Sequence, residues 1–196
     1  MSPLTHLLAS WIVAAKTTDN LRDRRLVTLA GVAPDLDGLG LILDIATGRF
    51  AKGNDYYYPQ YHHWLTHGLP AAIGLSVLFG IFGRRHWRVL ALSFLTFHLH
   101  LFCDLLGSRG PDKTDYWPIY YFGPILQHPM WIWRHQWRLD GWQNTVITVI
   151  LLFTSFWMAT DMGESWIAIF NRRADKIFVT VLQQWRAKLT SQRSSN

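Results

Sequence analysis

A chain of 196 residues has room for one domain with a real core, and this one carries a net charge of +6 on an unusually apolar background. Only 16% of its residues are charged, against 49% apolar and 15% aromatic, and glutamate occurs once, at Glu164. That balance argues against a soluble helical protein, whose wet faces carry Glu and Lys, and the single cysteine, Cys103, excludes an internal disulfide and a thiolate zinc cluster.

The chain opens with a short apolar helix, 4–15, after Pro3, and has no basic leader, so no removable signal peptide is expected. The run that follows is broken by "GVAPDLDGLG" at 31–40. Three uncharged stretches then stand out, 68–83, 89–103 and 145–160. Each is somewhat shorter than the roughly 20 residues that cross a bilayer, and the neighbouring turns extend each one. Residues 62–83 and 87–107 are expected to form an antiparallel hairpin closed by Gly83 and the basic turn 84–88. Residues 107–143 read as a long Pro- and Trp-rich connection, 144–160 as a third apolar helix, and 164–188 as an amphipathic last helix. The expectation is an all-α membrane protein with about three membrane-embedded helices and shorter flanking ones. Residues 1–189 form the domain and 190–196 a polar tail. A set of buried helices in a soluble domain is the alternative reading of the same runs.

Basic residues fall in short groups, "GRRHWR" at 83–88 and "NRRADK" at 171–176, rather than along one stripe. That suits anionic lipid headgroups better than nucleic acid, so membrane lipids are the expected partner and no nucleic acid is. Basic residues are about as many at either end of the hairpin, but the short turn weighs more than long loops, so a cytoplasmic turn and an outward-facing opposite end are the expectation.

Histidine and aspartate gather at that opposite end. His100 and Asp104 are spaced i, i+4 and share one helical face, as a metal ligand pair or an ordinary hydrogen-bonded pair would. In "HHWLTH", His63 and His67 share the same spacing, whereas His62 reaches a common ion with His67 only from a turn before the helix. Counted outward from the basic turn, His67 lies level with Phe102, so the two clusters meet across the hairpin. Asp35 and Asp37 in "PDLD" add carboxylates whose burial is costly unless a cation or a helix N-terminus meets them. His6 in "LTHLL" is the weakest candidate taken alone. Ligation by N and O without thiolate suits Zn²⁺ first, with Mn²⁺ or Fe²⁺ as alternatives, and the excess over four ligands suggests one or two ions.

The ordered set Thr5-His6, Gly31 to Asp37, His62 to His67, His100 to Asp104 and Trp117-Pro118 resembles the family of predicted membrane-bound metal-dependent hydrolases. That family's pattern runs TH, G-x-x-x-PDxD, HRxxTH, HxxxD and a WP-type element, and the resemblance covers about residues 1–122. It implies metal ligands at His6, Asp35, Asp37, His62, His67, His100 and Asp104. His63 stands where the family has arginine, and with Asp37 it is the candidate catalytic residue. The family is distantly similar to all-helical zinc phospholipases C and zinc nucleases, which implies phosphoester hydrolysis by a metal-activated water in the inner membrane.

All seven tyrosines and six of eleven tryptophans (64, 117, 131, 133, 137 and 142) fall at the site end. Aromatic amphipaths concentrate where hydrocarbon meets water and also line apolar pockets. Arg109, Tyr116 and Trp117 are therefore expected to bind a lipid or lipid-linked substrate. Two other functions fit the same residues: a non-catalytic membrane protein with a structural metal, or a transporter with a His/Asp ion path.

Overall fold

The computed structural model describes residues 1–53, 57, 65–126 and 128–194. Among the described residues, seven α-helices run in the order α1 (Pro3–Thr17), α2 (Leu21–Ala30), α3 (Gly40–Ala46), α4 (Leu69–Phe82), α5 (His86–Gly107), α6 (Trp142–Met162) and α7 (Arg172–Ser194). No strand occurs among the described residues, only two isolated bridges in the long connection, Arg109 with Arg138 and Ile119 with Trp131. The all-α expectation holds.

Local chemistry sets the helix ends. Ser2 caps α1 by accepting from Thr5 N at 3.3 Å, and Pro3 sits where a missing N–H costs nothing. Asn20 caps α2 in the same way through Asp23 N at 3.0 Å. Gly163, at φ 71°, ends α6 in the left-handed conformation that glycine adopts without strain.

α5 and α6 are long and apolar enough to cross a membrane. At 1.5 Å per residue their 22 and 21 residues reach about 33 and 32 Å, against a hydrocarbon core of about 30 Å. A third crossing is made if α2 and the segment Ala33–Ala46, bent by 54° at their junction, act as one broken span. α4 has 14 residues, about 21 Å, too short to cross alone. Its start differs from the expected 62: Gly68 is extended (φ −137°, ψ 172°) and Pro70 occupies the first turn, so the helix begins at Leu69 and His67 lies in the loop before it. The last helix is also shorter at its front. A 3₁₀ turn, Trp166–Ile169, precedes α7, because Asp175 accepts from both Ser165 N (2.9 Å) and Ser165 Oγ (2.6 Å) and holds the chain back.

The outside of the bundle is apolar. Val146, Val149, Ile150, Phe153 and Trp157 on α6 are exposed at spacings of three and four, one continuous helix face. Ile73, Val77 and Ile81 form a similar stripe on α4. Such patches are large for a soluble monomer and match a lipid-facing surface. Inside, the helices meet on small and hydroxyl residues: Ala14, Ala72, Ser76, Ser93 and Ala159 are fully or almost fully buried. Thr5 Oγ1 bonds Thr148 Oγ1 at 2.7 Å between α1 and α6, and Thr96 Oγ1 donates to Val27 O at 2.9 Å between α5 and α2.

Gly31 marks a close approach between helices. A Cβ there would lie 1.8 Å from Ser10 Oγ and 3.3 Å from Thr96 Cβ. Gly31→Ala is expected to cost about 1–3 kcal/mol by overpacking, read as a lower melting temperature in detergent. Adding Ser10→Gly should recover part of the loss, and a melting temperature unchanged by Gly31→Ala would contradict the contact.

Candidate metal centre

Four elements deliver side chains to one buried point. α1 brings His6, the 3₁₀ segment Ala33–Leu39 brings Asp35 and Asp37, the loop before α4 brings His67, and α5 brings His100 and Asp104. Asp104 is the hub. Its Oδ1 lies 3.1 Å from His6 Nε2 and accepts from Ser108 Oγ at 2.9 Å, and its Oδ2 lies 3.0 Å from His100 Nε2 and 3.7 Å from His67 Nε2. The Met1 ammonium also bonds Asp104 Oδ1 and reaches Ser108 Oγ at 2.9 Å.

The histidines are aimed by their outer nitrogens. His100 Nδ1 bonds Gly31 O at 2.8 Å, which directs Nε2 into the cluster. His67 Nδ1 bonds Asp37 Oδ2 at 2.8 Å, and its Nε2 lies 3.3 Å from His100 Nε2. Asp37 is held in turn by Thr66 N at 3.3 Å, while Thr66 Oγ1 donates to Pro34 O at 2.5 Å. The His6 and His100 rings stack with centroids 3.7 Å apart. Burial opposes charge on His67, but its contacts with Asp104 and Asp37 and their charges outweigh it and raise the imidazole to about 9. Burial pulls His6 the other way, below its ordinary value, against the opposing charge of Asp104.

One ligand atom each from His6, Asp35, His100 and Asp104 lie within 4.8 Å of one another, so this group can hold a metal ion. Two features of the donor set fit a cation. Asp35 Oδ2 and His6 Nδ1 are buried with no hydrogen-bond partner among the described residues, and the Nε2 atoms of His6, His67 and His100 all face the one carboxylate of Asp104. The two-nitrogen, two-oxygen set of that group contains no sulfur, as the sequence led one to expect.

His6, Asp35, His67, His100 and Asp104 therefore come together, with Asp37 one hydrogen bond behind His67. His62 and His63 lie outside the described residues. Arg109 and Trp117 line a separate cavity of about 400 Å³ with Arg138 and Leu139, and Tyr116 lines another of about 560 Å³ with Met130, Ile132 and Arg134. Arg109 spends Nε and Nη1 on the carbonyls of Gln136 (3.0 Å) and Asp112 (2.8 Å).

Sequence reasoning passed over Gln136 and the apolar cavity beside Asp37. Gln136 Nε2 donates to Asp104 O at 3.0 Å and to Trp117 O at 3.3 Å, fastening the end of α5 to the connection. No motif marks a lone glutamine. The cavity, about 450 Å³, is lined by Leu36, Leu39, Ile42, Leu43 and Leu65 together with Asp37 itself. The alternation of leucines with "PDLD" and "GLGLIL" was its only trace in the sequence.

The fold is thus that of a helical membrane protein with a buried His/Asp cluster. The chain belongs to the YdjM inner membrane protein family, whose model matches residues 1–180. No curated protein matches the chain, and neither does any solved structure.

Asp104→Asn should cut retained divalent metal at least tenfold, measured by elemental analysis of purified protein against the exposed control Asp140→Asn. Asp37→Asn, which leaves His67 without its carboxylate, should weaken binding about 10- to 100-fold. Undiminished metal in Asp104→Asn would refute the centre.

Proposed function

We propose that this protein is a metal-dependent hydrolase, a multi-pass protein of the inner membrane that cleaves a phosphoester of a lipid or lipid-linked substrate. The observation that carries the reading is Asp37. Its carboxylate bonds His67 in the centre, and the same residue forms part of the wall of the apolar cavity. A polar reacting group and a greasy tail can thus be accommodated side by side.

His6, Asp35, His100 and Asp104 would hold the ion, with His67 completing the set through Nε2. A divalent ion in such a site lowers the pKa of water from about 15.7 towards 7 and polarises a phosphoryl oxygen. The protein's own groups do the rest. Gly31 O and Asp37 fix the rings of His100 and His67. Asp37, at the cavity wall, takes up the proton released as a phosphoester is attacked, and the leucines keep bulk water from the tail. Zn²⁺ leads among the candidate ions, with Mn²⁺ and Fe²⁺ behind it. The chemistry proposed is of the kind the zinc phospholipases C perform.

The depth of the centre favours one second reading. His6 and His100 are each 1% exposed and Asp104 4%, a closure typical of structural ions. Chelation that unfolds the protein without any loss of turnover to explain would support that reading.

The test is an assay of the full chain in detergent micelles, with added Zn²⁺ or Mn²⁺, on phospholipids, polyprenyl phosphates and water-soluble phosphodiesters. Metal-dependent turnover of a lipid substrate is expected, reduced about 10²- to 10⁴-fold by Asp37→Asn with lipid binding little changed. Turnover of soluble esters alone would remove the lipid part, and no metal-dependent hydrolysis of any ester would remove the enzyme.

A further inference from the structure

The opposite end of the bundle holds a second polar feature that the metal centre does not use. The carboxylates there are already committed. Asp23 accepts from Arg84 N at 2.7 Å, Arg85 N at 3.3 Å and Asn20 Nδ2 at 2.9 Å. Asp19 Oδ2 pairs with Arg85 at 2.8 Å and with Arg88 at 3.9 Å, Glu164 pairs with Arg24, and Asp175 accepts from Ser165. Arg22, Arg84 and Arg172 are left with no ion pair among the described residues, and all three line one cavity of about 620 Å³. Arg25 joins them, its Nε and Nη2 pinned to Ala168 O at 3.3 and 2.8 Å, which holds the guanidinium at the wall.

Four guanidiniums around one cavity repel one another unless an anion sits between them. The first residues of α2 and α7 also line it, Leu21 and Arg172. The anion best suited to several forked donors is a phosphate. Its depth and walls say where the phosphate comes from. Arg84 lies just before α5, at the end of that helix's membrane-crossing length, where headgroups sit. Leu26 and Leu29 supply apolar wall beside the arginines, and Trp87, 82% exposed in the first turn of α5, marks the interfacial level.

We propose that this cavity binds the phosphate headgroup of an anionic membrane phospholipid, at a site distinct from the metal centre. Lipid so bound bridges α2, the α4–α5 turn and α7, three elements whose arginines would otherwise repel.

The experiment uses the full chain in neutral detergent, with phosphatidylglycerol, phosphatidylcholine or inorganic phosphate titrated separately and bound lipid read by native mass spectrometry. Wild type should prefer phosphatidylglycerol to phosphatidylcholine. Arg22→Gln, Arg84→Gln and Arg172→Gln, all exposed side chains, should each weaken phosphatidylglycerol about fivefold. Arg173→Gln, one residue along but outside the cavity, is the charge-matched control and should change little. Equal affinity for the two lipids, or equal losses in Arg172→Gln and Arg173→Gln, would overturn the site. Inorganic phosphate displacing phosphatidylglycerol at equal concentration would overturn the lipid as its source.

Discussion

The structure turns on one buried carboxylate. Asp104 lies 4% exposed in the middle of an apolar bundle, and an isolated ion there would be too costly to keep. It is kept because three imidazoles, a serine hydroxyl and an ammonium converge on it from three parts of the chain. Each partner needs its own support, and that support accounts for much of the packing. His100 needs the Gly31 carbonyl, which needs a residue without Cβ against Ser10. His67 needs Asp37, which the Thr66 backbone steadies. α1 needs its bond from Thr5 to Thr148 to hold His6 in place.

The surroundings explain why such a cluster survives. The outward faces of α4, α5 and α6 are apolar, so the bundle is dry on two sides: protein within and lipid without. Ionisable groups in that setting are expensive and usually functional. The His/Asp cluster lies away from the basic turn. His100 stands 14 residues, about 21 Å, from the first residue of α5, where the basic turn and its arginines gather. The molecule therefore has the His/Asp cluster towards one end and the arginine-lined cavity at the other, separated by a band of small buried residues.

What the sequence revealed follows from how far each signal reaches. α5 and α6 were legible because their apolar runs approach the membrane thickness. The pairing of His100 with Asp104 was legible because i, i+4 spacing has one geometric meaning on a helix. The meeting of His67 with His100 followed from counting residues on either side of a tight turn. Start points were harder. Residues 65–68, "LTHG", carry no proline or charge to mark a break, and the extended backbone of Gly68 moves the first residue of α4 to Leu69. α2 was hidden because it is polar by composition, with its Asp and Arg residues spent on partners far along the chain, Arg24 on Glu164 and Asp23 on the α4–α5 turn. Arg109, Tyr116 and Trp117 were grouped by their nearness to aromatics in sequence. The connection folds back on itself through Ile119 and Trp131 and carries them into two different cavities. Gln136 left no trace because its three carbonyl contacts depend wholly on tertiary structure.

His6, Asp35, His100 and Asp104 can hold an ion through imidazole and carboxylate without sulfur, although Cys103 stands next to Asp104 in the chain. X-ray absorption at the metal edge of the purified, metal-loaded protein in detergent tests it most directly. The expected spectrum has a first shell of nitrogen and oxygen at about 2.0–2.2 Å, with outer-shell scattering from at least two imidazoles. A sulfur scatterer near 2.3 Å, or a shell of water oxygens without imidazole, would contradict it.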